Sequence, residues 1–197
     1  TVGNTTLNGR SAADTVWVDS GTLTLGRENL FTALPFGPAV TVASGATLAL
    51  GASQAIGSLA GSGLVLLNPF TLTTGALGST DFAGVIAGSG GLAKAGSSRF
   101  TLSQDNTYTG LTSVLGGTLD VSGTLQSTEL TVQAGSLALA AADRLADPAR
   151  VSVAAGAQLT LSGDDTISSL ALSGTLAGSG TLSAGVVTLD GGTVLAN

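Results

Sequence analysis

The chain is predicted to be all-β and to wind as a parallel β-helix. Three observations carry this: short apolar/polar alternations along its whole length, glycine turns between them, and a recurrence near 20 residues nested in a longer repeat. The alternations come in pairs. Val16-Trp17-Val18 is followed by Leu23-Thr24-Leu25, and Val40-Thr41-Val42 by Leu48-Ala49-Leu50. The pattern returns at Leu130-Thr131-Val132 with Leu137-Ala138-Leu139, at Val151-Ser152-Val153 with Leu159-Thr160-Leu161, and at Val187-Thr188-Leu189 with Val194-Leu195. Apolar side chains at i and i+2 place one face of a strand in a core. No segment sustains helical periodicity. The 30 glycines, against 4 prolines, supply the turns between strands.

Self-comparison gives the period. A shift of 111 positions aligns residues 40–63 with 151–174 without a gap, and 13 of these 24 positions are identical. Val40/Val151, Gly45/Gly156, Leu48/Leu159, Leu50/Leu161, Ile56/Ile167 and Leu59/Leu170 are among them, and Leu34 matches Leu145 upstream. Inside this repeat the paired strands recur every 18 to 25 residues, as from Leu25 to Leu50, Val121 to Leu139 and Leu139 to Leu161. A unit of that size cannot bury its inner face alone, so neighbours must stack. At about 4.8 Å per stacked strand, roughly ten coils make a rod on the order of 50 Å long. The competing reading is an up-and-down antiparallel sandwich or barrel in which Gly117 and Gly192 close hairpins. Small inward residues and only 4% aromatics favour the solenoid, because a sandwich of this size carries a heavier aromatic core. Residues 1–197 are expected to form a single β-helical segment. Thr1 is no initiator and residues 193–197 break off inside a strand-like pattern, so a longer parent protein is expected.

Composition removes most chemistry. Six Lys+Arg against twelve Asp+Glu give a net charge of −6 and offer no stripe to neutralise phosphates, so no nucleic-acid partner is expected. With no His, the usual general base and commonest metal ligand are missing. With no Cys there are no disulfides, thiolate nucleophiles or thiolate zinc sites. The first ten residues carry no basic segment leading into an apolar one, and the longest apolar run is Leu64-Val65-Leu66-Leu67, far short of a membrane span.

The stretch from Gly88 to Gly110, continuing through Leu111 to Leu119, is the most specific signal. Its marks are Gly90-Gly91-Leu92, Lys94, Gly96, Thr101-Leu102, Asn106-Thr107-Tyr108-Thr109-Gly110, Thr112 and Gly116-Gly117-Thr118-Leu119. This pattern resembles the autotransporter-associated β-strand repeat of passenger domains in Gram-negative autotransporters. The segments 56–63 and 82–86 resemble the family as well. Leu111 departs from it, where Gly is frequent, and so does Arg99-Phe100, where Gly or Thr is. The resemblance implies a right-handed parallel β-helix, exported by type V secretion to the cell surface through a C-terminal outer-membrane β-barrel of the same precursor. From the residues themselves, the glycines supply backbone conformations closed to other residues. Asn106 suits a corner, and the Tyr108 ring is expected to cover the coil below while its hydroxyl stays wet.

Asp164-Asp165 replaces Ser53-Gln54 of the first copy and reads as a solvated turn, with a weak metal or substrate site as the lesser reading. Asp143, Arg144, Asp147 and Arg150 read as a surface ion-pair loop, with ligand gripping as the lesser reading. Gly88–Ala93 lacks the helix of a dinucleotide site, and Lys94 lacks the flanking residues of a phosphate loop. Trp17 is expected to point outward, as an adhesive contact or beneath a loop. No catalytic, cofactor-binding or metal-ligating residue is assigned, and no cofactor and no enzymatic activity are expected. The expected function is a structural stem that folds coil by coil at the cell surface and presents a functional region. The alternatives are an adhesin or self-associating surface module contacting a host ligand, or a polysaccharide-active β-helix enzyme.

Overall fold

The computed structural model describes residues 3–8, 13–28 and 37–195. Among them there are 23 short strands and no helix. They form three sheets of five, ten and eight strands. Strand pairing is parallel throughout, which excludes the antiparallel sandwich or barrel. The chain circulates around a common axis. Ser58–Gly61 lies on the ten-stranded sheet, Leu64–Leu66 on the five-stranded sheet and Leu72–Thr74 on the eight-stranded sheet; Thr80–Phe82 then returns to the first. About nine such turns stack into a β-solenoid.

Register explains the sequence period. Leu25 stacks on Leu50, Val121 on Leu139, and Leu139 on Leu161. Turn length is not fixed: Leu139 sits 22 residues before its partner Leu161, whereas Leu159 sits 17 before Leu176. Surplus residues are taken up at the corners, so that the inward positions stay aligned. The Arg150–Val153 strand shows the result, with Val151 and Val153 buried and Arg150 and Ser152 exposed. One inward column of the ten-stranded sheet runs Val42, Gly61, Phe82, Leu102, Val121, Leu139, Leu161. Phe82 fits because its neighbour is Gly61, where φ is +105° and a Cβ would run into the Val42 carbonyl. Phe100, in the adjoining column, stacks on Thr80. Large residues thus face small ones, the close-packing demanded of a protein interior.

The proposed hairpin glycines do other work. Gly117 (φ +63°) turns the corner between Thr112–Val114 on the eight-stranded sheet and Thr118–Val121 on the ten-stranded one. Gly192 likewise precedes Thr193–Val194 on a different sheet from Leu182–Leu189.

The third face changes character along the rod. Its five strands end at Val85–Ala87. Beyond them, the turns meet through isolated bridges from Asn106 to Leu125 and from Leu125 to Leu145. The two copies of the long repeat share local geometry. Ala46 N–H donates to Ala43 C=O, and Ala157 N–H to Ala154 C=O, both at 3.0 Å. A Cβ on Gly63 would meet Val42, Ala43 and Ala46; on Gly174 it would meet Val153, Ala154 and Ala157. Yet the first strands, Ala39–Val42 and Arg150–Val153, lie on different sheets, the ten-stranded and the eight-stranded. Leu34, matched to Leu145 in the sequence, lies outside the described residues.

Candidate functional site

The 88–119 segment occupies a turn and a half, and its marks fall on strands and corners. Leu92–Lys94 and Thr112–Val114 stack on the eight-stranded sheet, Arg99–Leu102 and Thr118–Val121 on the ten-stranded sheet. Lys94 takes an inward position between Thr74 and Val114 and is fully buried. Its Nζ donates to the carbonyls of Ala95 (2.6 Å), Gly96 (3.2 Å) and Gly116 (3.1 Å). Three ammonium protons meet three acceptors, one of them from the following turn. Burial pushes the Lys94 pKa below the ordinary lysine value. Glycines make the space: a Cβ on Gly75 would sit 2.5 Å from Lys94 Cδ, and one on Gly117 would sit 2.8 Å from Nζ.

Asn106 is buried where the third face narrows. Its Oδ1 accepts from Ile86 N–H (2.9 Å) and its Nδ2 donates to Gln104 C=O (2.6 Å), so the amide replaces a missing strand ladder. The expectation for Tyr108 is corrected. Its hydroxyl is not wet: the whole side chain is buried and the oxygen lies 2.7 Å from Thr112 Oγ1. Burial raises the phenol pKa far above its usual value, against the opposing effect of that hydrogen bond.

The solvated-turn reading of Asp164-Asp165 holds for one of the two. Asp164 is exposed and its Oδ1 accepts from Thr181 N–H (2.7 Å). Asp165 is only 3% exposed. Its Oδ2 accepts from Arg144 N–H (2.9 Å) and Leu145 N–H (3.2 Å), while Oδ1 has no partner. Desolvation pushes its pKa up; the backbone N–H donors oppose this, and the nearby Asp143 charge adds to it. The first copy shows why the position is buried. There Ser53 Oγ accepts from Thr71 N–H (3.1 Å), and Gln54 is buried with its Nε2 donating to Arg27 C=O.

The expected ion-pair loop also does not form. Among the described residues, no ion pair joins Asp143, Arg144, Asp147 and Arg150 to one another. Arg144 donates instead to the carbonyls of Ala142 and Ser122, each at 2.7 Å. Arg150 reaches Glu129 of the previous turn at 3.8 Å, with both side chains exposed, a pairing worth little in water.

Two arrangements were missed in the sequence. One is the Lys94 cradle, although Leu92-Ala93-Lys94 places the lysine inward by simple alternation. The other is the ion pair between Arg99 and Asp120, in which the carboxylate is buried. Alternation in Thr118-Leu119-Asp120-Val121 puts Asp120 outward, and no local signal shows that Arg99 of the previous turn lies over it.

Trp17 is outward and 67% exposed, as expected. A hollow of about 420 Å³ runs over the corners that include Gly45, Gly63 and Gly84, with no titratable group in its lining. Among the described residues, no group of three acidic side chains is placed to hold a metal ion. The polar groups of the central turns are turned on the backbone, where they close corners.

Residues 92–121 match the model of the passenger-associated-transport-repeat family. The match falls on the turns that hold Lys94, Asn106 and Tyr108. No curated protein and no solved structure matches the chain.

Proposed function

With a passenger-associated transport repeat folded into a parallel β-solenoid, the chain fits the passenger domain of an autotransporter, and from this premise we propose that it serves as the stem of that passenger. The repeat family implies a secreted, cell-surface protein. One observation carries the stem reading: the matched turns direct their specific residues, Lys94, Asn106 and Tyr108, into the rod and not toward a ligand. Residues 1–197 then act as one β-helical segment of a longer passenger, carried by an outer-membrane β-barrel of the same precursor. Each turn buries its inner face on the one before, so folding proceeds coil by coil outside the membrane, with nearest-neighbour energy at every step. We assign the segment no catalytic role.

A second reading, an adhesive or self-associating surface, draws on exposed Trp17, because aromatic side chains are enriched at recognition surfaces. One deletion separates the two. Residues 1–197 are removed from the full-length precursor, and surface display and adhesion are scored on the same cells. The stem reading expects display or passenger folding to fail. Normal display with lost adhesion makes the segment the binding surface and overturns the stem.

A further inference from the structure

Gln54, Asn106 and Asp165 are buried side chains that reach across turns of the rod, and of these Asp165 alone titrates. Gln54 and Asn106 are neutral amides that bond to backbone groups of neighbouring turns. Asp165 occupies the place of Gln54 in the second copy of the repeat, and its carboxyl does the same work with half of its capacity unused. Oδ2 holds the N–H groups of Arg144 and Leu145, and Oδ1 is buried without a partner.

The surroundings favour a proton on that oxygen. Asp143 approaches from the turn below, in a left-handed backbone conformation (φ +54°), and its N–H donates to Asp164 C=O. The Arg144 guanidinium forms no ion pair with Asp165; it is directed to the Ala142 and Ser122 carbonyls. Asp164, beside Asp165 in the chain, is exposed and turned to Thr181 N–H, so it stands outside the latch. From the turn above, Thr181, Leu182 and Ser183 bring no titratable group. Protonation at Oδ1 leaves both N–H bonds to Oδ2 in place. It also removes the charge from a buried oxygen that no donor satisfies.

We propose that Asp165 is a proton-operated latch, which ties the turn of Arg144 and Leu145 to the turns after it and tightens when its carboxyl takes up a proton. The sign follows from linkage. A carboxyl whose folded pKa lies above its unfolded value contributes stability in full below the unfolded pKa, and loses it as pH rises through the folded pKa. The turns from Asp165 to Leu189 therefore close more firmly in mild acid, the reverse of ordinary acid denaturation. Each unit between the two pKa values is about tenfold in the local opening equilibrium.

Native-state hydrogen exchange of the whole chain between pH 4 and pH 7.5, corrected for intrinsic rates, tests the latch. Protection of residues 165–189 is expected to fall several-fold as pH rises, while that of 119–139 changes less. Asp165→Asn, which keeps the acceptor and adds the donor, is expected to hold high protection at every pH. Asp164→Asn is expected to keep the wild-type profile. A wild-type profile over 165–189 that is flat or rises with pH overturns the proposal, whether or not the variants fold. So does an Asp165→Asn protein that keeps the wild-type pH dependence.

Discussion

Replacing Lys94 with Met tests whether the central corner is held by its ammonium or merely tolerates it. Methionine keeps the length and most of the packing of the lysine stem, but it leaves the carbonyls of Ala95, Gly96 and Gly116 without the donor they now share. At about 1 kcal/mol or more for each unsatisfied buried acceptor, the loss is on the order of 3 kcal/mol. Relief from burying a charge returns part of it. A net destabilisation of about 2 kcal/mol is expected, which for a chain of this size lowers Tm by roughly 4–8 °C. Thermal melts followed by circular dichroism at neutral pH measure it. A second readout comes from the same melts at alkaline pH. The Lys94 pKa is lowered in the folded state, so wild-type stability should climb as pH rises from that lowered value toward the ordinary lysine value. The Lys94→Met protein should lack this climb. If Lys94→Met melts at or above wild type, charge burial outweighs the three hydrogen bonds and the cradle does not stabilise the rod.

Three further outcomes are expected. Thr80 Oγ1 is buried without a partner in a column otherwise apolar around Phe100, so Thr80→Val should stabilise by about 1 kcal/mol in urea unfolding. Gly61→Ala should cost about 3 kcal/mol or more, or stop folding in expression trials, because its φ of +105° and the Val42 carbonyl both oppose a Cβ. Tyr108 is the single tyrosine, so an ultraviolet titration reads it alone: ionisation should begin well above the ordinary tyrosine range and coincide with loss of the β signal, and a normal titration in the folded protein refutes its burial.

How far the sequence could be read depended on the range of the interaction. Strand pairs, parallel stacking and even individual partners such as Leu25 and Leu50 were legible, because a solenoid turns period directly into register. The segment from Gly88 to Leu119 was legible through its resemblance to a known repeat. What escaped was set by partners that neither alternation nor period marks, one of them four residues on and the others on neighbouring turns. Tyr108 looked amphipathic until Thr112 answered its hydroxyl, and Asp165 looked like part of a polar turn until Arg144 and Leu145 claimed its carboxyl. Charge pairing in the 143–150 excursion was drawn from proximity in sequence, whereas Arg144 and Arg150 find partners 22 and 21 residues away in Ser122 and Glu129. Local composition gives a corner its shape; the neighbouring turn decides which polar atoms remain open to water.

The long repeat keeps the geometry of its first corner while its copies begin on different sheets. A segment of this kind specifies strand, corner and strand, but not the compass direction in which it starts. Duplication or insertion in such a rod therefore need not add a whole number of circuits. A block of chain can be transplanted to another azimuth, and corners of variable length bring the inward columns back into line. Growth of the rod is constrained by the fit at each successive contact, and the angular phase of the added material is free to drift.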